Sequence, residues 1–156
     1  LKRIPLVSVT IYLRKEASAF AGFGCLFPRD QGVRALGVLS NSHIFPGRAE
    51  EHSETWIYRA EASDGLLAAT DSEIMGLIEK DRARLSPANP HVLDAKVTRW
   101  PFGIPCYDLA LEDFLGSGVL SGLERNGIFL HGNYLGRLGL TGIVDRSASL
   151  PMILKG

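Results

Sequence analysis

Ile128-Phe129-Leu130-His131 is an apolar run that leads into Gly132-Asn133-Tyr134-Leu135-Gly136-Arg137-Leu138-Gly139-Leu140-Thr141-Gly142. The pattern reads as a strand, a glycine-rich turn and the start of a helix. Such a junction presents bare backbone amides and the positive end of a helix dipole. That chemistry suits a polar or anionic group that must come close to the main chain. The same glycines would equally serve tight packing of a strand against a helix.

Other residues carry weaker signals. Arg48, Arg59 and Arg99 could each anchor a carboxylate through the guanidinium fork, and each also fits a solvated surface cation. His43, His52, His91 and His131 are scattered without ligand spacing, so no metal site is expected. His131 adjoins the glycine turn and could face either a ligand or the core. No Ser/His/Asp or Cys/His arrangement has supporting context, and Glu50-Glu51 sits in a loop, so no catalytic side chain is assigned. Cys25 and Cys106 lack any CxxC pattern and read as two buried free thiols in a reducing compartment.

The elements that must position these residues follow from periodicity. Leu6–Leu13 alternates apolar and small polar residues and is rich in β-branched types, the mark of a strand. Gly22–Phe27 and Val33–Leu39 flank the turn residues Arg29-Asp30-Gln31-Gly32 and suggest an antiparallel hairpin. A loop over 41–54 precedes a strand at Thr55–Ala60. Thr70-Asp71-Ser72-Glu73 matches a capping box, and Ile74, Leu77, Ile78 and Leu85 continue at helical spacing with Glu79, Lys80, Arg82 and Arg84 outward. Pro87 and Pro90 should end that helix. A strand at Val92–Trp100, a kinked connection at Pro101–Pro105, a glycine-weakened helix over 111–123 and a last helix from about Thr141 to Leu150 complete the pattern. The class is α+β, with a mixed, largely antiparallel sheet and two to three helices.

Four stretches, in order, resemble one known family. Phe129-Leu130-His131-Gly132-Asn133-Tyr134, followed by Leu138-Gly139-Leu140, is similar to the last FAD-contacting motif of protoporphyrinogen oxidases, within the flavin-containing amine oxidase superfamily. Gly22-Phe23-Gly24-Cys25-Leu26-Phe27-Pro28 resembles that family's GFGxLxP strand. Ala35–Arg48 resembles its LGxxxxSxxFPxR segment, and Trp100–Tyr107 its tryptophan-to-tyrosine stretch. The chain departs from the family's pattern at Cys106, where glutamine is usual, and at Ala110-Leu111, where a Gly-His pair is usual.

The resemblance implies the C-terminal portion of an FAD-dependent oxidase. Residues 1–100 would be the substrate-binding-domain sheet with one helix. Residues 101–156 would supply a helix and the FAD-contacting strand–turn–helix, with the two parts forming one compact unit. Trp100, Leu138, Gly139 and Leu140 would be the cofactor-binding residues, the last three through backbone N–H groups. The intact enzyme would oxidise a reduced tetrapyrrole in heme biosynthesis, the flavin performing the hydride chemistry. No GxGxxG dinucleotide fingerprint occurs in these 156 residues, so the chain is expected not to retain FAD alone and to need an N-terminal FAD-binding half as partner. A severed face should then be apolar and favour self-association. The alternatives are a fragment of a related flavin enzyme acting on amines or carotenoids, and a free-standing module that binds a ligand or partner without catalysis.

Composition narrows the field further. Seventeen basic and seventeen acidic residues balance to zero formal charge, which gives no general attraction to nucleic acid. No apolar run approaches a membrane span, and Leu1-Lys2-Arg3-Ile4-Pro5 lacks a signal-peptide core. A cytoplasmic location is expected, peripheral to a membrane at most in the intact enzyme.

Overall fold

Alternation along the first strand decides the fold. The structure, a computed structural model, describes residues 2–15, 22–86, 91–136 and 139–154. In β1 (Arg3–Leu13), Val7, Val9, Ile11 and Leu13 are wholly buried while Ser8, Thr10 and Tyr12 point to the opposite face. β4 (His52–Arg59) pairs with β1 antiparallel, setting Tyr58 against Val7, Trp56 against Val9 and Glu54 against Ile11. β3 (Gly37–Ser40) pairs with β4, and β2 (Gly24–Leu26) with β3, both antiparallel. β5 (Val92–Pro105) lies on the other side of β1, giving the order β2-β3-β4-β1-β5. It runs opposite to β1: Trp100 donates to Ser8 at one end, and the Cys106 amide donates to Lys2 just beyond the other.

The expected hairpin is therefore β2–β3, and its glycine has a steric reason. A Cβ on Gly24 would stand 2.1 Å from the Val38 carbonyl oxygen, so only glycine lets these strands meet. The strand expected at Thr55–Ala60 begins three residues earlier, and the connection at Pro101–Pro105 is part of β5. In the loop over 41–54 a short helix, α1 (Asn41–Ile44), forms.

α2 (Asp71–Leu85) covers one sheet face. Its capping box is complete: the Thr70 amide donates to Glu73 Oε2 at 2.7 Å, and the Glu73 amide to Thr70 Oγ1 at 3.3 Å. Ile74 and Ile78 enter the core with Trp56, Tyr58 and Val38, and Phe27 stacks on Trp56 with ring centres 6.0 Å apart. The helix stops at Leu85; Pro87 and Pro90 lie outside the described residues. Two residues at its C-terminal end do more than an outward polar face would. Both Asp81 carboxylate oxygens accept the Arg34 amide, and Oδ2 also accepts the Ala35 amide at 2.9 Å. Arg82 is buried rather than outward. Its Nε and Nη2 donate to Glu54 Oε2 and Oε1 at 2.9 and 2.8 Å, a bidentate pair with side chains 4% and 0% exposed.

Residues Ile4–Gly103 form one compact unit, and Leu1–Arg3 with Ile104–Gly156 form a second. In the second, the expected helix over 111–123 is two: α3 (Leu109–Gly116) and α4 (Val119–Arg125), separated at Ser117-Gly118. Asp108 caps α3 by accepting the Leu111 amide at 3.1 Å. A 3-10 turn at Asn133–Leu135 precedes α5 (Gly139–Leu154). Ile128–His131 is not a strand, because among the described residues of this unit no strand pairs with it. It is an irregular segment tied to α5 instead. The His131 ring and Ser147 hydroxyl are 2.7 Å apart, and Arg146 donates to the Leu130 carbonyl.

The Glu54 cluster makes stability depend on pH. Burial alone would raise the Glu54 carboxyl, but the Arg82 fork, the Trp56 indole at 3.0 Å and His52 outweigh it and hold it below its usual 4.5. Burial lowers His52 below 6.5 despite the Glu54 carboxylate 3.4 Å away. Both groups bind protons more readily unfolded, so both contribute stability that is lost as pH falls. The loss should begin below pH 6.5 through His52 and deepen below 4.5 through Glu54. Urea titrations across that range should show it, with His52→Gln reducing the upper step and Glu54→Gln the lower. At neutral pH, Arg82→Ala should cost about 3–5 kcal/mol by stranding a buried carboxylate, while the double change Glu54→Gln with Arg82→Met should cost less.

Candidate functional site

The face of the sheet opposite α2 carries Ser8, Thr10, Tyr12, Thr55 and Ile57, all half-buried. Register places Ser8 beside Ile57, Thr10 beside Thr55 and Leu39 beside Thr55 on it. Its hydroxyls are organised: Thr10 and Thr55 oxygens are 2.9 Å apart, and the Asn41 amide donates to Thr55 at 2.8 Å. Around them lie exposed apolar groups, including Leu26 at 85%, Phe102 at 73% and Trp100 at 49%. A surface that mixes fixed hydroxyls with large apolar side chains suits a flat, mostly apolar ligand with a few polar groups. Trp100 belongs to this face, its indole Nε1 donating to Ser8 Oγ at 2.9 Å.

The other candidates belong to the second unit. Leu138 lies outside the described residues. Gly139 begins α5 at φ +81°, where a side chain would be strained, and the space a Cβ would occupy is empty. Leu140 is 80% exposed. The helix start is thus open to a group approaching its amides, whose first N–H groups have no partner within the helix. Tyr107 fixes the turn before it by donating its hydroxyl to the Asn133 carbonyl at 2.6 Å. A cavity of about 420 Å³ in the same unit is lined by Lys2, Arg3, Asp108, Ala110, Leu111, Phe114, Leu130 and Tyr134. Two of its lining positions, Ala110 and Leu111, are those where the chain departs from the family pattern.

Of the three arginines, two are committed elsewhere. Arg59 pairs with Glu61 at 3.3 Å and Arg99 with Asp71 at 2.7 Å. Arg48 lies 4.4 Å over the Phe45 ring and lines a cleft on the open face. His131 is engaged with Ser147 as described above. Cys25 is exposed on the short edge strand β2 and Cys106 is half-buried, so neither is the buried thiol expected; both are free. Among the described residues no group of three or more metal-ligating side chains is placed to hold an ion, and no helix is long and apolar enough to cross a membrane. Sequence reasoning missed the Glu54–Arg82–His52 cluster. Its signal was the parity of Glu54 with Trp56 and Tyr58.

Comparison with known proteins bears out the resemblance. No family model matches the chain. Protoporphyrinogen oxidase from Oryza sativa subsp. japonica, a chloroplast protein, is 29% identical over 157 aligned positions, which cover 90% of this chain and 29% of the relative. Protoporphyrinogen oxidase 1 of Spinacia oleracea is 31% identical over 87% of this chain and 27% of its own length. The chain therefore spans under a third of the curated relatives it matches. Among solved structures, a protein described as a protoporphyrinogen oxidase from Exiguobacterium sp. 255-15 shares the fold across the whole chain and 36% of its own, with a TM-score of 0.76 at 16% identity. Reduced UDP-galactopyranose mutase matches 86% of the chain with a TM-score of 0.62 at 12% identity. The α+β sheet is thus one seen inside larger proteins, and the chain is similar to a segment of protoporphyrinogen oxidases.

The two tryptophans report separately on core and face. Trp56 is fully buried and Trp100 half-exposed. Acrylamide should quench the emission of Trp56→Phe strongly and that of Trp100→Phe weakly. Equal quenching of the two variants would mean the Trp100 face is covered.

Proposed function

We propose that this chain is the C-terminal portion of an FAD-dependent oxidase that dehydrogenates a reduced tetrapyrrole in heme biosynthesis. The observation that carries the reading is the alignment of about nine-tenths of the chain with chloroplast protoporphyrinogen oxidases at 29–31% identity. Bound FAD would supply the acceptor for the hydride and the route of the electrons to oxygen. The residues present suit such a group. Gly139 leaves room beside the backbone, and Leu138, Gly139 and Leu140 would hold the cofactor by main-chain N–H groups at the start of α5. Trp100, in the larger unit, is the remaining candidate contact for the cofactor. The open sheet face would orient the tetrapyrrole and exclude water along one side. No side chain of this chain need move a proton, because positioning is its contribution.

The dinucleotide-binding half would come from a separate part of the protein and pack on this chain. With that half present, the purified protein should be yellow and should oxidise a porphyrinogen faster than an amine. Colourless protein would overturn the flavin reading, and preference for the amine would move it to a related oxidase. The 156-residue chain alone should bind no flavin.

We also propose that the uncovered apolar face drives self-association when its partner is missing. Light scattering on the isolated chain should then show species larger than the 17.0 kDa monomer, growing with concentration. A clean monomer at high concentration would favour a free-standing module.

A further inference from the structure

Arg48 stands apart from the other arginines that hold acids. Arg34, Arg59, Arg99 and Arg146 each pair with a carboxylate, whereas among the described residues none lies within ion-pair distance of Arg48. Its guanidinium instead lies over Phe45, 4.4 Å from the ring centre. Stacking occupies the flat face of a guanidinium and leaves its edge, where the five N–H donors are, available for another partner. It also holds a long side chain in place, so less conformational freedom remains to be lost when a ligand binds.

The surroundings match that edge. Arg48 and Phe45 line a cleft of about 420 Å³ with Thr10, Tyr12, Asn41 and Ser42. The cleft wall is fixed by its own hydrogen bonds: Thr10 to Thr55, Asn41 to Thr55, and the Ser53 amide to Ser42 at 2.9 Å. Tyr12 adds a phenolic hydroxyl on the same side. Register continues the face from Thr10 and Thr55 to Ser8 and Ile57, where the Trp100 indole is tied to Ser8. A cation with a free planar edge therefore stands at one end of a face that runs through hydroxyl side chains to Ile57 and Trp100.

We propose that Arg48, stacked on Phe45, is the anchor of a carboxylate subsite, and that the ligand of the open face is a flat apolar acid whose body lies toward Ile57 and Trp100. The nature of that body rests on the tetrapyrrole reading above; the acid rests on Arg48. Lysine at this position would keep the charge but lose the fork and the stacking.

The test is equilibrium binding to the intact 156-residue chain, followed by quenching of tryptophan emission. The probes are a porphyrin dicarboxylic acid, its dimethyl ester and 2-naphthoate. Wild type should bind the diacid about tenfold more tightly than the ester. Arg48→Ala should lower diacid affinity to that of the ester while leaving ester affinity and the circular dichroism spectrum unchanged, and Arg48→Lys should restore part of the difference. Diacid and ester binding alike in wild type, or an unaltered Arg48→Ala, overturns the subsite. If neither porphyrin binds the isolated chain, the carboxylate site is judged by naphthoate alone: binding abolished by Arg48→Ala upholds it, and binding indifferent to Arg48, or no binding, overturns it.

Discussion

The bidentate pair between Glu54 and Arg82 is the constraint on which the larger unit depends. It joins the middle of the sheet to the last turns of α2 inside a core that otherwise holds Val, Ile, Trp and Tyr side chains. Apolar contacts alone would let a helix slide or rotate on the sheet with little change in buried area. A two-point hydrogen bond in a dry interior tolerates no such shift, since movement would leave one charge without its partner. Asp81, one residue earlier, reaches in another direction to the amides of Arg34 and Ala35 at the start of the chain leading into β3. One turn of helix thereby sets the position of α2 on the sheet and of the hairpin beside it.

That arrangement separates the labours of the two sheet faces. The face beneath α2 carries the stability, with its charges neutralised internally. The opposite face can then afford groups that a core would not accept: paired threonines, a tyrosine, an indole tied by a single serine, and large apolar side chains left in solvent. A face of this kind gains little for folding and makes sense as a platform for something else. The same division appears in the smaller unit, where Arg146, Glu124 and His131 bind helices and turn together while the start of α5 stays open.

How far this was legible in the sequence depends on how local the signal was. The alternation of Leu6–Leu13, the hairpin turn and the capping box at Thr70–Glu73 are encoded by neighbouring residues, and each is found where the pattern places it. The fold family was legible for another reason, because four short motifs occur in order. Arg82 was misread because helical spacing assigns a charged residue to the outer face, and only the distant Glu54 makes burial tolerable. Ile128–His131 was misread as a strand because its composition suits one, yet a strand exists only where another pairs with it. The break at Ser117-Gly118 sits among glycines already weak for a helix, but nothing nearby says whether such a stretch bends or divides. The cofactor candidates were visible through the motif alone.

The rims of the sheet carry a consequence for how anything could join it. β5 forms one rim and includes Pro101 and Pro105, which have no amide hydrogen to offer a further strand. β2 forms the other and is three residues long. β5 keeps its amide hydrogens over Val92–Trp100, so the prolines close only the far end of that rim to a further strand. A strand joining the sheet there would have to stop short of Pro101, and beyond that point whatever docks must match the relief of side chains.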